Sequence, residues 1–190
     1  MRYPKEHKEE TRRRIVDKAG ERFRNEGIEA VGLANLMQSV GLTVGGFYAH
    51  FGSREDLVAE ACEAGFARTT AALRSYLDTQ PRGERTAAFI DAYLSPQHRD
   101  EPGAGCMIAA NGAELARHPA STRAAFTAQV DAWIGLIDAV LAEDGLKADA
   151  RALAAGLVGT MVLARAVNDP ARSDAFLESG RKSLKANLRR

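Results

Sequence analysis

Chemistry-bearing residues crowd into one short stretch, LTVGGFYAHFGSREDL (Leu42–Leu57). Thr43 offers a hydroxyl for a base edge or a phosphate, and Val44 offers methyl groups to a thymine methyl. Gly45 and Gly46 follow, and small residues there let the backbone come close to another molecule. Tyr48 carries a phenol suited to phosphate, His50 lies two residues on, and Arg54 falls in the first turn of a helix opened by Ser53. Unpaired N–H groups and the positive dipole end favour an anion at that place. The chemistry these types could do together is contact with a nucleic acid. The plainer reading makes Tyr48 an amphipathic core residue and Arg54 a solvated neighbour of a cap. Phe47 and Phe51 are expected to pack inward and anchor the segment from behind.

The elements that must hold these residues are helical. Ala, Leu, Arg and Glu are plentiful and Pro is scarce at 6 of 190 residues, which favours helix. No stretch alternates with period 2 and β-branched enrichment, so no sheet is expected. From Lys5 to Glu26, Ile15, Val16, Ala19 and Phe23 form one apolar stripe, closed by Gly27 as C-cap. Leu33, Leu36, Met37 and Val40 mark a short second helix ended by Gly41. Thr43 caps a third through about His50, and Ser53 opens a long helix to about Thr79, with Asp56 completing a variant capping box. Two short helices joined by a glycine turn, flanked by longer ones, describe a helix-turn-helix. Charge agrees: residues 1–25 hold nine Lys/Arg against five acids, although the whole chain is only +1. That basic end fits a polyanion contact, and Lys8 and Arg12 are its candidate contributors. The bland alternative is a solvated face with pairs such as Glu10–Arg14.

The run GLANLMQSVGLTVGGFYAHFGSREDLV resembles the DNA-binding region of the TetR family of transcriptional regulators. The shared features are a short helix, Gly-hydrophobic-Thr, a short reading helix, Tyr-x-His-Phe and Ser-Arg-Glu-x-Leu. With the preceding helix the resemblance spans roughly residues 8–60. Met37 stands where the family often has Ala, Arg54 where Lys is common, and the Gly45–Gly46 pair suits a subset with GGFYAHF. The resemblance implies an all-helical homodimer that binds operator DNA and releases it when a ligand enters the C-terminal domain. It divides the chain into a DNA-binding domain at 1–52 and a ligand-binding and dimerisation domain at 53–190, about nine helices in all.

The C-terminal half reads as further helices around a loop, PQHRDEPGAG. ALAAGLVGTMVLARAV (Ala152–Val167) is apolar nearly all round, so its helix must be covered on two sides. Gly156, Gly159, Thr160 and Leu163, with Phe176 of the last helix, are the candidate dimer contacts. Gly105–Cys106 and the closing ARAV of Ala164–Val167 resemble one branch of the family. Cys106 at a helix start is a candidate sensor of electrophiles, against the plain reading of a small buried residue. Phe89, Tyr93, Met107, Trp133 and Met161 are candidate walls of a ligand pocket, with Asn111 and Glu114 as its polar groups. No basic cluster in this half points to an anion, so an uncharged organic effector is expected.

The sequence holds no P-loop, dinucleotide fingerprint, GxSxG or metal motif, so no enzyme, metal or cofactor is expected. Two cysteines make no disulfide framework, the N-terminus has no signal-like core, and no apolar run reads as long enough to span a bilayer. Together these predict a cytoplasmic bacterial protein that touches no membrane. The most direct reading is a ligand-responsive regulator, most simply a repressor. The alternative is a helical ligand-binding or interaction protein without operator binding.

Overall fold

Ile15, Val16, Ala19 and Phe23 are buried along one side of the first helix, α1 (Lys5–Glu26). Gly27 ends it in the left-handed region at φ +91°, its N–H returned to the Phe23 carbonyl. The computed structural model describes residues 5–188, so Arg2 of the basic end lies outside it. α2 (Leu33–Ser39) closes over α1 with Leu36 and Met37, and Gly41 at φ +75° turns the chain into α3 (Val44–Phe47). α3 is shorter than expected. Its regular hydrogen bonding gives way after Phe47 to turns through His50, in a segment with two glycines among its first three residues.

α4 (Arg54–Asp78) begins as expected, the Ser53 hydroxyl accepting from Asp56 N at 3.1 Å. It packs against α1 at one end and α8 (Ala120–Glu143) along its length, so it belongs to both halves of the molecule. α5 (Arg85–Tyr93) follows. The expected loop after it holds a further short helix, α6 (Pro96–Asp100), because the Ser95 hydroxyl caps His98 N and Pro96 sits in the first turn. A 3-10 turn (Pro102–Ala104) leads to α7 (Met107–Leu115), and α9 (Ala150–Ala166) and α10 (Pro170–Ala186) complete the chain. Among the described residues there is no strand.

α8 corrects one expectation, since it is long and apolar enough to pass as a bilayer span. Its Trp133, Ile137, Val140 and Leu141 are buried in the bundle. α9 and α10 lie tightly together. A Cβ on Gly156 would come within 2.7 Å of Leu184, and one on Gly180 within 2.5 Å of Thr160. Gly156 and Thr160 therefore lie against α10 within the chain. Gly159 faces open space, and Val162, Leu163 and Phe176 remain exposed beside it.

Candidate nucleic-acid interface and cavity

Phe47 and Phe51 are buried and stack at 5.1 Å, holding α3 against the α1 core from behind. Thr43, Val44, Gly45 and Tyr48 are left on the outer side, Tyr48 two-thirds exposed. The two glycines have no internal reason to be glycine. Neither has a positive φ, and an added Cβ at either would meet only Thr43 Oγ1 at 3.9 Å. The fold would accept a side chain at both places. His50 is half-buried, its Nδ1 without a partner. Burial lowers its pKa, helped by the nearby positive charges of Lys8 and Arg12.

Two expected phosphate contacts are engaged inside the protein. Arg12 donates to both Glu60 oxygens and to the His50 carbonyl, and its guanidinium lies 4.2 Å over the Phe51 ring. It locks the turn after α3 onto α1 and α4. Arg54 donates to the Val31 carbonyl at 2.8 Å and to the Ile28 carbonyl, closing the α1–α2 loop. Both arginines thus stabilise the reading unit from within, because carbonyls of neighbouring turns lie within reach of their forked donors. Lys8 stays exposed on α1.

In the other half, a cavity of about 180 Å³ lies between α4, α5, α8 and the start of α7. Of the expected pocket residues it brings together Tyr93, Cys106 and Trp133. Phe89, Met107 and Met161 are core, nearly inaccessible and outside its lining. Phe66, Thr69, Thr70 and Leu73 of α4 line it and were missed, although they share one face at spacings of three, four and seven. His98 was missed as well, and nothing local in the sequence reveals its role. Its Nδ1 lies 2.6 Å from the Tyr93 carbonyl and its Nε2 accepts the Cys106 N–H at 3.0 Å. That pairing requires a neutral ring with the proton on Nδ1. Burial, reinforced by Arg165, lowers the His98 pKa against the pull of the Tyr93 carbonyl. Cys106 is the N-cap of α7 and its side chain caps nothing. Cys62 is buried on α4, and burial pushes its thiol up to about 12.

Asn111 and Glu114 do not reach the cavity; they point from α7 to the reading unit. Asn111 Nδ2 donates to the Phe23 carbonyl at 2.7 Å, and Glu114 accepts from Ile28 N at 2.8 Å and Glu29 N at 2.6 Å. Burial would raise the Glu114 pKa, but these backbone donors and Asn111 outweigh it and lower the value. Just beyond, His118 Nδ1 and Thr122 both donate to Glu55 at the start of α4. One nine-residue helix therefore has the cavity at its first turn and the α1–α2 loop at its last.

A glycine-faced helix-turn-helix is thus tied to a helical domain with its own cavity. Residues 15–61 match the family described as "Bacterial regulatory proteins, tetR family". Solved structures share the fold over nearly their full length. The reduced form of NemR from E. coli is 21% identical, with a TM-score of 0.81 over 95% of this chain and 97% of that one. A TetR transcriptional regulator from Chloroflexus aurantiacus is 23% identical, with a TM-score of 0.77 and 95% of each chain covered. A putative transcriptional regulator from Saccharomonospora viridis, in complex with choline, is 19% identical, with a TM-score of 0.76 over 95% and 98%. Among curated proteins, none matches the sequence.

Proposed function

We propose that the chain is a homodimeric, effector-released repressor that acts on operator DNA in the bacterial cytoplasm and catalyses no reaction. The observation that carries this reading is the Gly45–Gly46 pair. A glycine within a helix weakens it by about 0.8–1.0 kcal/mol relative to alanine, and here no protein atom requires one. A duplex lying against this face supplies the reason, since only a bare backbone would let α3 sink into the major groove. Thr43, Val44 and Tyr48 flank the pair as base and phosphate contacts, with Lys8 alongside. Residues 1–52 form the reading unit and 53–190 the effector and dimer unit, joined by α4.

Fluorescence anisotropy with duplex fragments from around the coding region tests it. Specific binding should fall steeply as salt rises from 50 to 200 mM, by about 10³-fold or more if six or more phosphates are neutralised. Salt-insensitive binding, or none to any genomic fragment in a selection, would leave the helical interaction protein as the better reading.

Cys106 is the proposed electrophile sensor. Both cysteines are buried, but Cys106 lines the cavity at the α7 N-terminus, whereas Cys62 lies outside that lining and is held as a thiol. Two observations on one experiment decide this. Cys106→Ser should bind operator as the parent does yet ignore N-ethylmaleimide; release that is unchanged in the variant rejects the thiol route. The choline bound by the S. viridis protein marks the non-covalent alternative, in which the same cavity holds its effector by contact alone.

A further inference from the structure

The buried charges beside the cavity are two arginines, and the acids acting on them, Glu21 on Arg24 and Asp100 on Arg165, are exposed. Arg24 of α1 is only 4% exposed, and it reaches between α4 and α7 to donate to the Gly103 carbonyl. Arg165 of α9 donates to the carbonyls of His98 and Arg99. Among the described residues neither has a carboxylate partner, and Nη1 of each is buried with no acceptor. Both stand behind the same wall. Arg24 holds the turn that leads to Ala104, and a Cβ on Gly105 would come within 3.3 Å of Arg165 Nη2 and 2.6 Å of His98 Nε2. Desolvation pushes the Arg24 guanidinium down to about 10 and lowers Arg165 too, so each cation is held at a penalty that an anion would relieve. Tyr93 is 7% exposed, and its hydroxyl has no hydrogen-bond partner beyond the neighbouring Cys106 thiol. The first N–H groups of α7, left uncapped by any side chain, add the positive end of a helix at the same wall. The opposite walls carry the apolar Phe66, Leu73 and Trp133, with Thr69 and Thr70 among them.

We propose that the cavity takes a small planar anion, of the class of an aromatic monocarboxylate, with its ring against Phe66, Leu73 and Trp133 and its charged end toward Tyr93, Gly105 and Cys106. The proposal rests on the reading of this cavity as the effector site, and it replaces the uncharged effector expected from sequence. The reason for the change is tertiary. Arg24 comes from the reading unit and Arg165 from the end of α9, so no basic cluster shows in the C-terminal sequence. Size sets the class: a dry cavity of about 150 Å³ holds benzene, so about 180 Å³ suits one ring with a small substituent. Tyr93 donates to the bound anion, and the two arginines and the helix end stabilise it through a low-dielectric wall. Arg24 also links the ligand's charge to α1, since the same guanidinium holds α1 to the Gly103 turn.

Trp133 is the sole tryptophan and lines the cavity, so its fluorescence reads occupancy without any DNA. The full-length protein is titrated with benzoate and, as the uncharged match in shape, benzamide. Benzoate is expected to bind at least about tenfold more tightly, the scale of a charged hydrogen bond. Tyr93→Phe, which removes one oxygen and keeps the ring, should weaken benzoate several-fold more than benzamide, and Arg165→Met should narrow the gap between the two ligands. Benzamide binding as well as benzoate overturns the proposal, as does no saturation by benzoate at about 10 mM. Benzoate that binds only after Cys106→Ser also overturns it, because the thiolate would then be the counter-charge. Each of these results leaves the operator-binding test standing, so failure here is distinct from failure of the regulator reading.

Discussion

Leu163→Glu is expected to convert the protein to a monomer and to remove most of its operator affinity. Leu163 is 49% exposed on α9, beside Val162 at 42% and Phe176 of α10 at 37%. Gly159, one turn earlier, faces open space. These are the large apolar side chains left uncovered in this part of the fold, and they form one face across two helices. A carboxylate at its centre would have to be desolvated without a partner, which costs several kcal/mol per ion and is taken twice in a twofold interface. The fold of the single chain should survive, because Leu163 contributes little to the intrachain core. Two reading units held together gain about 10²–10⁴ in affinity over one, and that factor is what the substitution should remove. Sedimentation velocity with thermal melting and anisotropy on one sample checks it. A dimer that persists with unchanged affinity would place the twofold contact elsewhere.

Changing Gly45 and Gly46 together to alanine should move stability and function in opposite directions. Alanine in a helix is favoured over glycine, and the unfolded chain loses freedom as well, so the pair should gain about 1–2 kcal/mol in stability. No neighbour opposes the new methyl groups. Those same methyl groups would stand between α3 and the duplex. Affinity should fall by about 1–3 kcal/mol per half-site, the scale of one lost base contact. Chemical denaturation measures the first effect and anisotropy the second. A stabilised variant with full affinity would mean that the glycines are not where the protein meets DNA.

How much of this was legible in the sequence follows from how local each signal is. Ser53 with Asp56, Gly27 and Gly41 are local rules, and they placed helix ends to within a residue. Phe47 and Phe51 were legible because an apolar ring in an amphipathic helix has one side to go to. The intrachain partners of Arg12, Arg54, Asn111 and Glu114 were not legible for one common reason: a long polar side chain is equally suited to solvent, phosphate or a distant carbonyl. Which it takes depends on atoms far along the chain, as with Glu114 and Ile28. Gly156 shows the same limit for small residues, since close approach was legible but not whether the neighbour was Leu184 or another chain.

The arrangement of α7 has an engineering consequence. In the proposed reading the cavity is lined by Phe66, Thr69, Thr70 and Leu73 of α4 and by α5 and α8, whereas Asn111 and Glu114 on the far turn of α7 make hydrogen bonds to α1 and the α1–α2 loop. The two sets share no residue. On that reading, substitutions at these four α4 positions would retune the cavity to a new compound while the Asn111 and Glu114 hydrogen bonds stay in place, so this scaffold lends itself to biosensors with exchangeable inputs.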